Sequence, residues 1–258
     1  MGALFLLFVV SVLAHRRGST AMTATTIFEH LIAIYAVVVA PWLAVRKMRQ
    51  VRADGTAGSK IHLYRRAIFM QFLTVAAVLA LCMFGAIPMA NLGLCFPRSW
   101  PLSLVLGGVI ISYFAYTAIR LRPKAEKFRE QMRGRAGLLL SPDTNSELRW
   151  FATLCAGSGI AEELLYRGFL VFYISSFLPH FNKVALVLFV STVFGLMHMY
   201  QGWRGVTSTA VSGLLLTTLY VVTGSLILPA VIHSLGNLQA VVICWPQSNR
   251  SSANGVDS

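Results

Sequence analysis

Seven apolar stretches constrain the fold of this chain more than any other feature of its sequence. A transmembrane helix needs about 20 mostly apolar residues. The stretches lie at residues 27–45, 67–94, 102–120, 151–172, 184–200, 206–222 and 226–245. Their apolar runs are continuous, whereas the strands of a membrane β-barrel alternate with a period of two. The sequence therefore predicts an all-α, polytopic transmembrane bundle of about seven to eight helices.

Composition supports a membrane location. Of the 258 residues, 56% are hydrophobic and 12% are charged, whereas soluble domains carry about 25% charged residues. The opening segment 1–14 is apolar but short, and Arg16 and Arg17 follow it. A short extra helix, an interfacial segment and a misassigned start codon all remain open for this segment, so the helix count is seven or eight.

Basic residues divide the chain and predict its orientation. We expect N-terminal helices and basic loops at 1–149, a helical core at 150–245, and a disordered tail at 246–258. Lys and Arg favour short cytoplasmic loops, so the basic segments 46–66 and 120–149 predict a cytoplasmic C-terminus by span parity. We expect a multi-pass protein of a bacterial inner membrane.

The excess of basic residues indicates binding to lipid headgroups rather than to nucleic acid. The chain has 22 Lys and Arg against nine Asp and Glu, but these charges are split between loops that flank the spans. Such juxtamembrane charges suit anionic lipid headgroups. The expected partner is therefore the bilayer, with no nucleic acid.

Acidic residues are scarce within the spans and point to a functional site. Only Glu29, Glu162 and Glu163 fall inside apolar stretches, where an ionisable group is costly unless it faces the protein interior or water. Glu29 stands near the end of its span and can reach the headgroups. Glu162 and Glu163 are therefore the stronger candidates for function.

The two adjacent glutamates cannot share one role. Glu163 and Arg167 are four residues apart, so they are neighbours on one helix face and can form an ion pair. Glu162 points about 100° away around the helix axis. A purely structural ion-pair cluster explains Glu163 and Arg167 but leaves Glu162 without a partner. Glu162 is therefore a candidate general base.

Two later spans add polar side chains of catalytic type. His198 follows Phe194 by four residues, and Asn237 follows His233 by four, so each pair lies on one helix face. A single intramembrane histidine more often serves as a hydrogen-bonding contact between helices. Three spans that each carry such chemistry favour a site instead, because a base, two imidazoles and an amide can activate water and stabilise an oxyanion.

These residues carry a resemblance to a known family. The segments EELLYR, FGLMH and HSLGN resemble the EExxxR, FxxxH and HxxxN motifs of the CPBP family. That family contains the type II CAAX prenyl endopeptidases and the bacterial Abi, or bacteriocin-processing and immunity, proteins. The three motifs occur in order over residues 150–240. The resemblance implies an all-α intramembrane endopeptidase with its cavity inside the bilayer.

The resemblance also implies a role for each motif residue. Glu162 would activate water with the help of His198. His233 and Asn237 would stabilise the oxyanion. Glu163 and Arg167 would brace the site. The implied substrate is a membrane-associated peptide or protein, either prenylated or of the bacteriocin type.

Two alternatives remain beside glutamate catalysis without a cofactor. Glu162, His198 and His233 also form a plausible zinc ligand set. We favour no metal, because no HExxH motif occurs and Asn237 is a poor zinc ligand but a good amide donor. The second alternative is a noncatalytic immunity or scaffold protein. A scaffold has no need of Glu162 together with both histidines, so proteolysis is the favoured interpretation.

Overall fold

The protein is a helical bundle, shown by a computed structural model that describes residues 23–53, 59–121 and 141–244. These ranges contain seven continuous helices and no strand. They are α1 (Ala24–Ile34, continuing through Tyr35–Val39 and Ala40–Ala53), α2 (Lys60–Met83), α3 (Trp100–Leu121), α4 (Asn145–Glu163, continuing through Leu164–Leu170 and Val171–Phe177), α5 (Lys183–Met197), α6 (Trp203–Thr223) and α7 (Ile227–Cys244). The all-α prediction is confirmed. The apolar segment 1–14, the tail 246–258 and most of the loop 120–149 lie outside the described residues.

Four of these helices are long and apolar enough to cross a membrane. They are Ala24–Val51, Lys60–Met83, Trp100–Arg120 and Trp203–Thr223. Helices α5 and α7 are apolar but shorter, and α4 carries three charged residues in its middle. The chain is therefore an integral membrane protein whose charged helix differs in kind from the apolar ones.

The second predicted span is wrong at its end. Helix α2 stops at Met83 instead of continuing to residue 94, and a loop with a short 3₁₀ turn at Met89–Leu92 follows. Gly85, with φ of 70°, turns the chain in a conformation that favours glycine. Ile87 and Leu92 are fully buried in the core. These loop residues are apolar because they pack inside the bundle, which composition alone cannot distinguish from a span.

Helix α4 lies at the centre of the bundle. It packs against α2 and α7 along its first part, and its middle contacts α1, α5 and the Met89–Leu92 turn. The main core cluster gathers buried side chains from α1, α2, α4, α5 and α6, with Phe169, Leu170 and Val190 fully enclosed. The charged segment predicted in α4 is therefore surrounded by protein.

Helix α3 lies at the periphery. Of the helices described, it packs chiefly against α7, and its apolar side chains, such as Leu104, Val105 and Val109, are largely exposed. Gln239 of α7 donates to the Phe114 carbonyl oxygen and to the Thr117 hydroxyl. Helix α3 is thus a lipid-facing helix attached to α7.

Helix α5 is short, and this determines where the second motif ends. It ends at Met197, and a 3₁₀ turn at Met199–Gln201 replaces the helical end that the predicted span 184–200 placed there. This turn packs against the last part of α1 and the start of α6. His198 therefore lies at the end of α5, half-buried, with its ring against Phe194.

Candidate active site

A wide helical turn in α4 forms the floor of the candidate site. Residues Leu164–Leu170 adopt the π-helical conformation, and all seven are buried. In a π-helical turn each backbone hydrogen bond spans one residue more than in an α-helix, and such turns are frequent at functional sites. Glu162 and Glu163 occupy the last α-helical positions before the turn, and Arg167 lies within it.

Glu163 and Arg167 form the ion pair that their spacing predicts. Arg167 Nη1 lies 2.7 Å from Glu163 Oε1, and both side chains are 0% exposed. The guanidinium also donates to α6, from Nε to Thr217 Oγ1 at 3.2 Å and from Nη2 to the Gly213 carbonyl oxygen at 3.4 Å. A buried charge pair is tolerated when further hydrogen bonds satisfy it. Thr217 and Gly213 carry no motif signal, and sequence reasoning missed them.

Phe194 gathers the charged and imidazole groups around one ring. The Arg167 guanidinium carbon lies 4.2 Å from the ring centroid, in cation–π geometry. The His198 ring lies 5.0 Å away and the His233 ring 5.7 Å away, both with edge-to-face contacts. The structure thus brings both predicted histidines to the same aromatic side chain.

Glu163 also binds His233, a contact that the sequence did not indicate. His233 Nδ1 lies 2.7 Å from Glu163 Oε1. Because a carboxylate oxygen accepts, Nδ1 is the donor, and in the neutral ring Nε2 then carries the lone pair. His233 Nε2 lies 3.8 Å from Glu162 Oε2. One imidazole is therefore held between the two glutamates.

Glu162 differs from its neighbour in exposure and in partners. Its side chain is 23% exposed, against 0% for Glu163. Its Oε2 atom is buried and has no hydrogen-bond partner among the described residues, and the same is true of Glu163 Oε2. A buried polar atom without a partner is rare in folded proteins and calls for an explanation. In this site the Glu162 atom is an acceptor that faces His233.

His198 presents a second acceptor. Its Nδ1 lies 3.0 Å from the Phe194 carbonyl oxygen. A carbonyl can only accept, so Nδ1 donates and the neutral ring keeps its lone pair on Nε2. The same tautomer thus follows for both histidines of the site.

Asn237 joins α7 to α4. Its Nδ2 donates to Ser158 Oγ at 2.8 Å and to the Cys155 carbonyl oxygen at 3.3 Å. The helices approach closely there, because a Cβ added to Gly159 would lie 2.6 Å from the Ser234 backbone nitrogen. Small residues allow such backbone approach between membrane helices. The amide, which the resemblance implies for the oxyanion, contacts α4 in this structure.

Tyr200 is a site neighbour that no motif contains. Its ring centroid lies 5.9 Å from that of His198, and it packs against Met48 and Val51 of α1. Burial raises the pKa of the Tyr200 hydroxyl; a hydrogen bond from Gln201 opposes this rise, and the Glu162 charge adds to it. The phenol therefore stays protonated. Only its position two residues after His198 could have drawn attention to it.

The predicted alternative metal set does not come together in this structure. Within the described ranges, no three His, Cys, Asp or Glu side chains are placed to hold one ion. Glu162 and His233 face each other, but His198 does not complete a ligand set with them. The residues therefore do not fit a zinc site in this arrangement.

A comparison with known proteins bears on this geometry. Residues 144–239 match the family model described as "Type II CAAX prenyl endopeptidase Rce1-like". The matched segment contains all six predicted site residues, so the resemblance is confirmed for this part of the chain. The family supports a CAAX-type intramembrane protease. No curated protein and no solved structure is significantly similar to the chain.

Proposed function

We propose that this protein is an intramembrane endopeptidase in which Glu162 activates water to hydrolyse a peptide bond of a membrane-associated substrate. One observation carries the proposal. Of two adjacent carboxylates, Glu163 is fully buried and paired with Arg167, whereas Glu162 is partly exposed, has no Arg or Lys partner within the described residues, and faces His233 Nε2. The two glutamates thus have the different environments that a base and a structural anion require.

The free polar atoms of the site suit a water molecule. Glu162 Oε2 lacks a donor, and the neutral His198 and His233 rings each keep an acceptor at Nε2. Water can donate two hydrogen bonds to such atoms. Glu162 takes a proton as the water oxygen attacks the scissile carbonyl carbon, and a tetrahedral oxyanion forms. Glu162 then returns the proton to the leaving nitrogen as the C–N bond breaks.

Glu163 and Arg167 support this chemistry from beneath. Glu163 receives hydrogen bonds from Arg167 and from His233 Nδ1, so it determines the tautomer and orientation of His233. A positioned carboxylate plays this part beside catalytic histidines in other hydrolases. When His233 carries a second proton, its Nε2 can donate to the oxyanion, and Glu163 balances the added charge.

Asn237 receives a different role from the one expected. Both N–H groups of its amide are used by Ser158 and Cys155, so none is left for an oxyanion. We propose that the hydrogen bonds of Asn237 fix the position of α7 along α4, and that this position places His233 opposite Glu162. His198 keeps the task of holding the water, because its Nδ1 bond to Phe194 orients the ring.

The substrate class follows from the family and from the membrane setting. We propose a peptide or protein attached to the membrane, either with a prenylated C-terminal CAAX sequence or of the bacteriocin type, cleaved near the cytoplasmic face. No specific interaction beyond that class is assigned. The bilayer is the second partner, because the exposed surfaces of α2 and α3 are apolar along most of their length.

The test uses the full chain in liposomes and the variant Glu162→Gln. Prenylated and unprenylated CAAX peptides serve as probes, and mass spectrometry identifies the products. We expect the variant to lose about 10²–10⁴ in rate, as for a removed general base, with unchanged thermal unfolding in detergent. Full activity of Glu162→Gln would exclude the mechanism. Binding of the probes without cleavage by the wild type would favour the noncatalytic scaffold.

Chelation tests the cofactor. If Glu162 acts without an ion, a chelator leaves the cleavage rate unchanged and the purified protein contains far less than one equivalent of zinc. Activity that disappears on chelation and returns with added zinc would instead support the ligand set Glu162, His198 and His233. The matched control is Cys95→Ser, because this exposed thiol lies outside the site and could bind zinc adventitiously.

A further inference from the structure

The proposed hydrolysis needs a donor for the oxyanion, and the motif donors are already used. Both amide N–H groups of Asn237 bind α4. The Arg167 guanidinium binds Glu163 and α6 and lies against the Phe194 ring. The Nδ1 atoms of both histidines donate to protein oxygens. The site is therefore rich in acceptors and short of free neutral donors.

Tyr200 supplies such a donor. Its hydroxyl oxygen accepts from Gln201 Nε2 at 3.0 Å, while its own proton is donated to no side chain or backbone atom in the described part of the chain. The ring is held between His198 and the α1 side chains Met48 and Val51. The tyrosine ring is thus fixed beside His198, the residue proposed to hold the water.

Other tyrosines near the bundle core use their hydroxyl groups. Tyr166 donates to the Ala36 carbonyl oxygen at 3.3 Å, and Tyr220 donates to the Asn91 carbonyl oxygen at 3.4 Å. The Tyr173 hydroxyl is hydrogen-bonded to His30 Nδ1 at 3.0 Å. Each of these hydroxyl groups links two parts of the backbone or two helices. Tyr200 makes no such link, so its O–H serves no comparable structural purpose.

We infer that Tyr200 is a catalytic residue whose hydroxyl donates a hydrogen bond to the oxyanion formed on the scissile carbonyl. The inference rests on the proposed hydrolase function and extends it beyond the three motifs. No proton leaves Tyr200. The carbonyl oxygen gains negative charge as water attacks, Tyr200 stabilises that charge, and the charge returns to the carbonyl when the C–N bond breaks.

The packing around Tyr200 explains how the hydroxyl is positioned. Helix α5 ends at Met197, and the 3₁₀ turn Met199–Gln201 that follows carries Tyr200, whose ring contacts His198. Helix α1 closes the other side through Met48 and Val51. A hydrogen-bond donor that is already in position before the reaction stabilises the developing negative charge without rearrangement of the site. Gln201 strengthens the effect, because its bond to the phenol oxygen orients the hydroxyl.

Tyr200→Phe removes only the hydroxyl and keeps the ring contacts. We expect kcat to fall by about 10²–10³, as for loss of one oxyanion donor, with KM unchanged. A phosphonamidate peptide, which mimics the tetrahedral intermediate, should bind more weakly by a similar factor. Tyr220→Phe is the matched control, because its hydroxyl bonds to Asn91 in a loop remote from His198. It should stay within twofold of the wild type.

The outcomes separate this inference from the proposed function. Wild-type cleavage with an inactive Glu162→Gln and a fully active Tyr200→Phe would overturn the role of Tyr200 alone. A rise in KM with unchanged kcat would overturn it as well, since it would make Tyr200 a binding residue. Wild type that cleaves no probe would overturn both proposals. If Tyr200→Phe does not fold, fluorinated tyrosines at position 200 decide: a rate that follows phenol acidity supports the inference, and a constant rate overturns it.

Discussion

Helices α3 and α4 are both long, but lipid and protein surround them differently. Helix α3 exposes most of its apolar side chains and contacts chiefly α7. Helix α4 lies at the centre and buries Glu163 and Arg167 completely. In a bilayer the apolar character of a span only shows that it can be inserted. The polar exceptions, and the partners they find, show where a helix belongs in the bundle.

The difference in surroundings also determines which helix tolerates substitutions. A side chain of α3 that faces lipid can be replaced by another apolar side chain without leaving a polar atom unpaired. A change in the α4 cluster leaves a charge, a carbonyl or an imidazole without its partner, because Arg167, Glu163 and His233 satisfy one another. The two helices should therefore respond to matched substitutions by very different amounts.

The largest difference is expected for arginine. Arg167→Met should lower the free energy of unfolding by about 3–5 kcal/mol and abolish cleavage, because Glu163 would stay buried without its cation. Arg120→Met is the counterpart in α3, where the exposed guanidinium covers the Tyr116 ring and donates to its hydroxyl. That variant should unfold like the wild type. Denaturation in mixed micelles measures both.

A double variant sharpens the result. Glu163→Gln combined with Arg167→Met removes both charges, so it should recover part of the stability lost by Arg167→Met while remaining inactive. Equal stability of Arg167→Met and the wild type would contradict the buried ion pair. Recovery of activity in the double variant would contradict the role of Glu163 in orienting His233.

The sequence was enough to predict where each described helix lies along the chain, and it also predicted one side-chain contact. Continuous apolar runs located all seven helices, since insertion into lipid depends on length and composition. The pair Glu163 and Arg167 followed from helix geometry within one segment. Residues 84–94 were misassigned as helix, because buried loop residues are as apolar as those of a span. The wide turn Leu164–Leu170 also had no sequence signal.

Contacts between helices were not accessible in the same way. The bonds of His233 to Glu163 and of Asn237 to Ser158 depend on the depth and rotation of α7 against α4. Periodicity gives the face of a residue on its own helix but not its height against another. Tyr200 was missed for the same reason, because a 3₁₀ turn after a short helix placed it at the site. The motif resemblance supplied the set of residues but not their pairing.

An intermediate difference is expected for glycine. Gly159→Ala places a Cβ 2.6 Å from the Ser234 backbone nitrogen, so α4 and α7 must separate. We expect a loss of about 1–3 kcal/mol, as for overpacking, and a lower kcat because His233 moves from Glu162. Gly108→Ala is the counterpart in α3, where an added Cβ meets nothing within 4 Å. It should be neutral or slightly stabilising, since alanine favours helix.

The stability and the kcat of Gly159→Ala together show whether the added Cβ forces α4 and α7 apart or is accommodated by nearby side chains. A lower kcat of Gly159→Ala with unchanged stability would show that the helices shift without unfolding, and the role of their register would stand. Wild-type stability together with wild-type kcat would contradict the close approach. A destabilised Gly108→Ala would contradict the peripheral placement of α3.

The smallest effect is expected where the two regions meet. Gln239 of α7 donates to the Phe114 carbonyl oxygen and to Thr117 of α3. Hydrogen bonds between membrane helices contribute about 0.6–2 kcal/mol, so Gln239→Leu should cost no more than that. Activity should be unchanged, because Gln239 lies on the face of α7 opposite to the one that joins α4.

A double-variant cycle with Thr117→Val isolates the bond between the two side chains, since each change removes one partner. A coupling energy near zero would show that the Phe114 carbonyl alone holds Gln239. A large fall in kcat for Gln239→Leu would break the comparison itself, because the attachment of α3 would then control the site in α4.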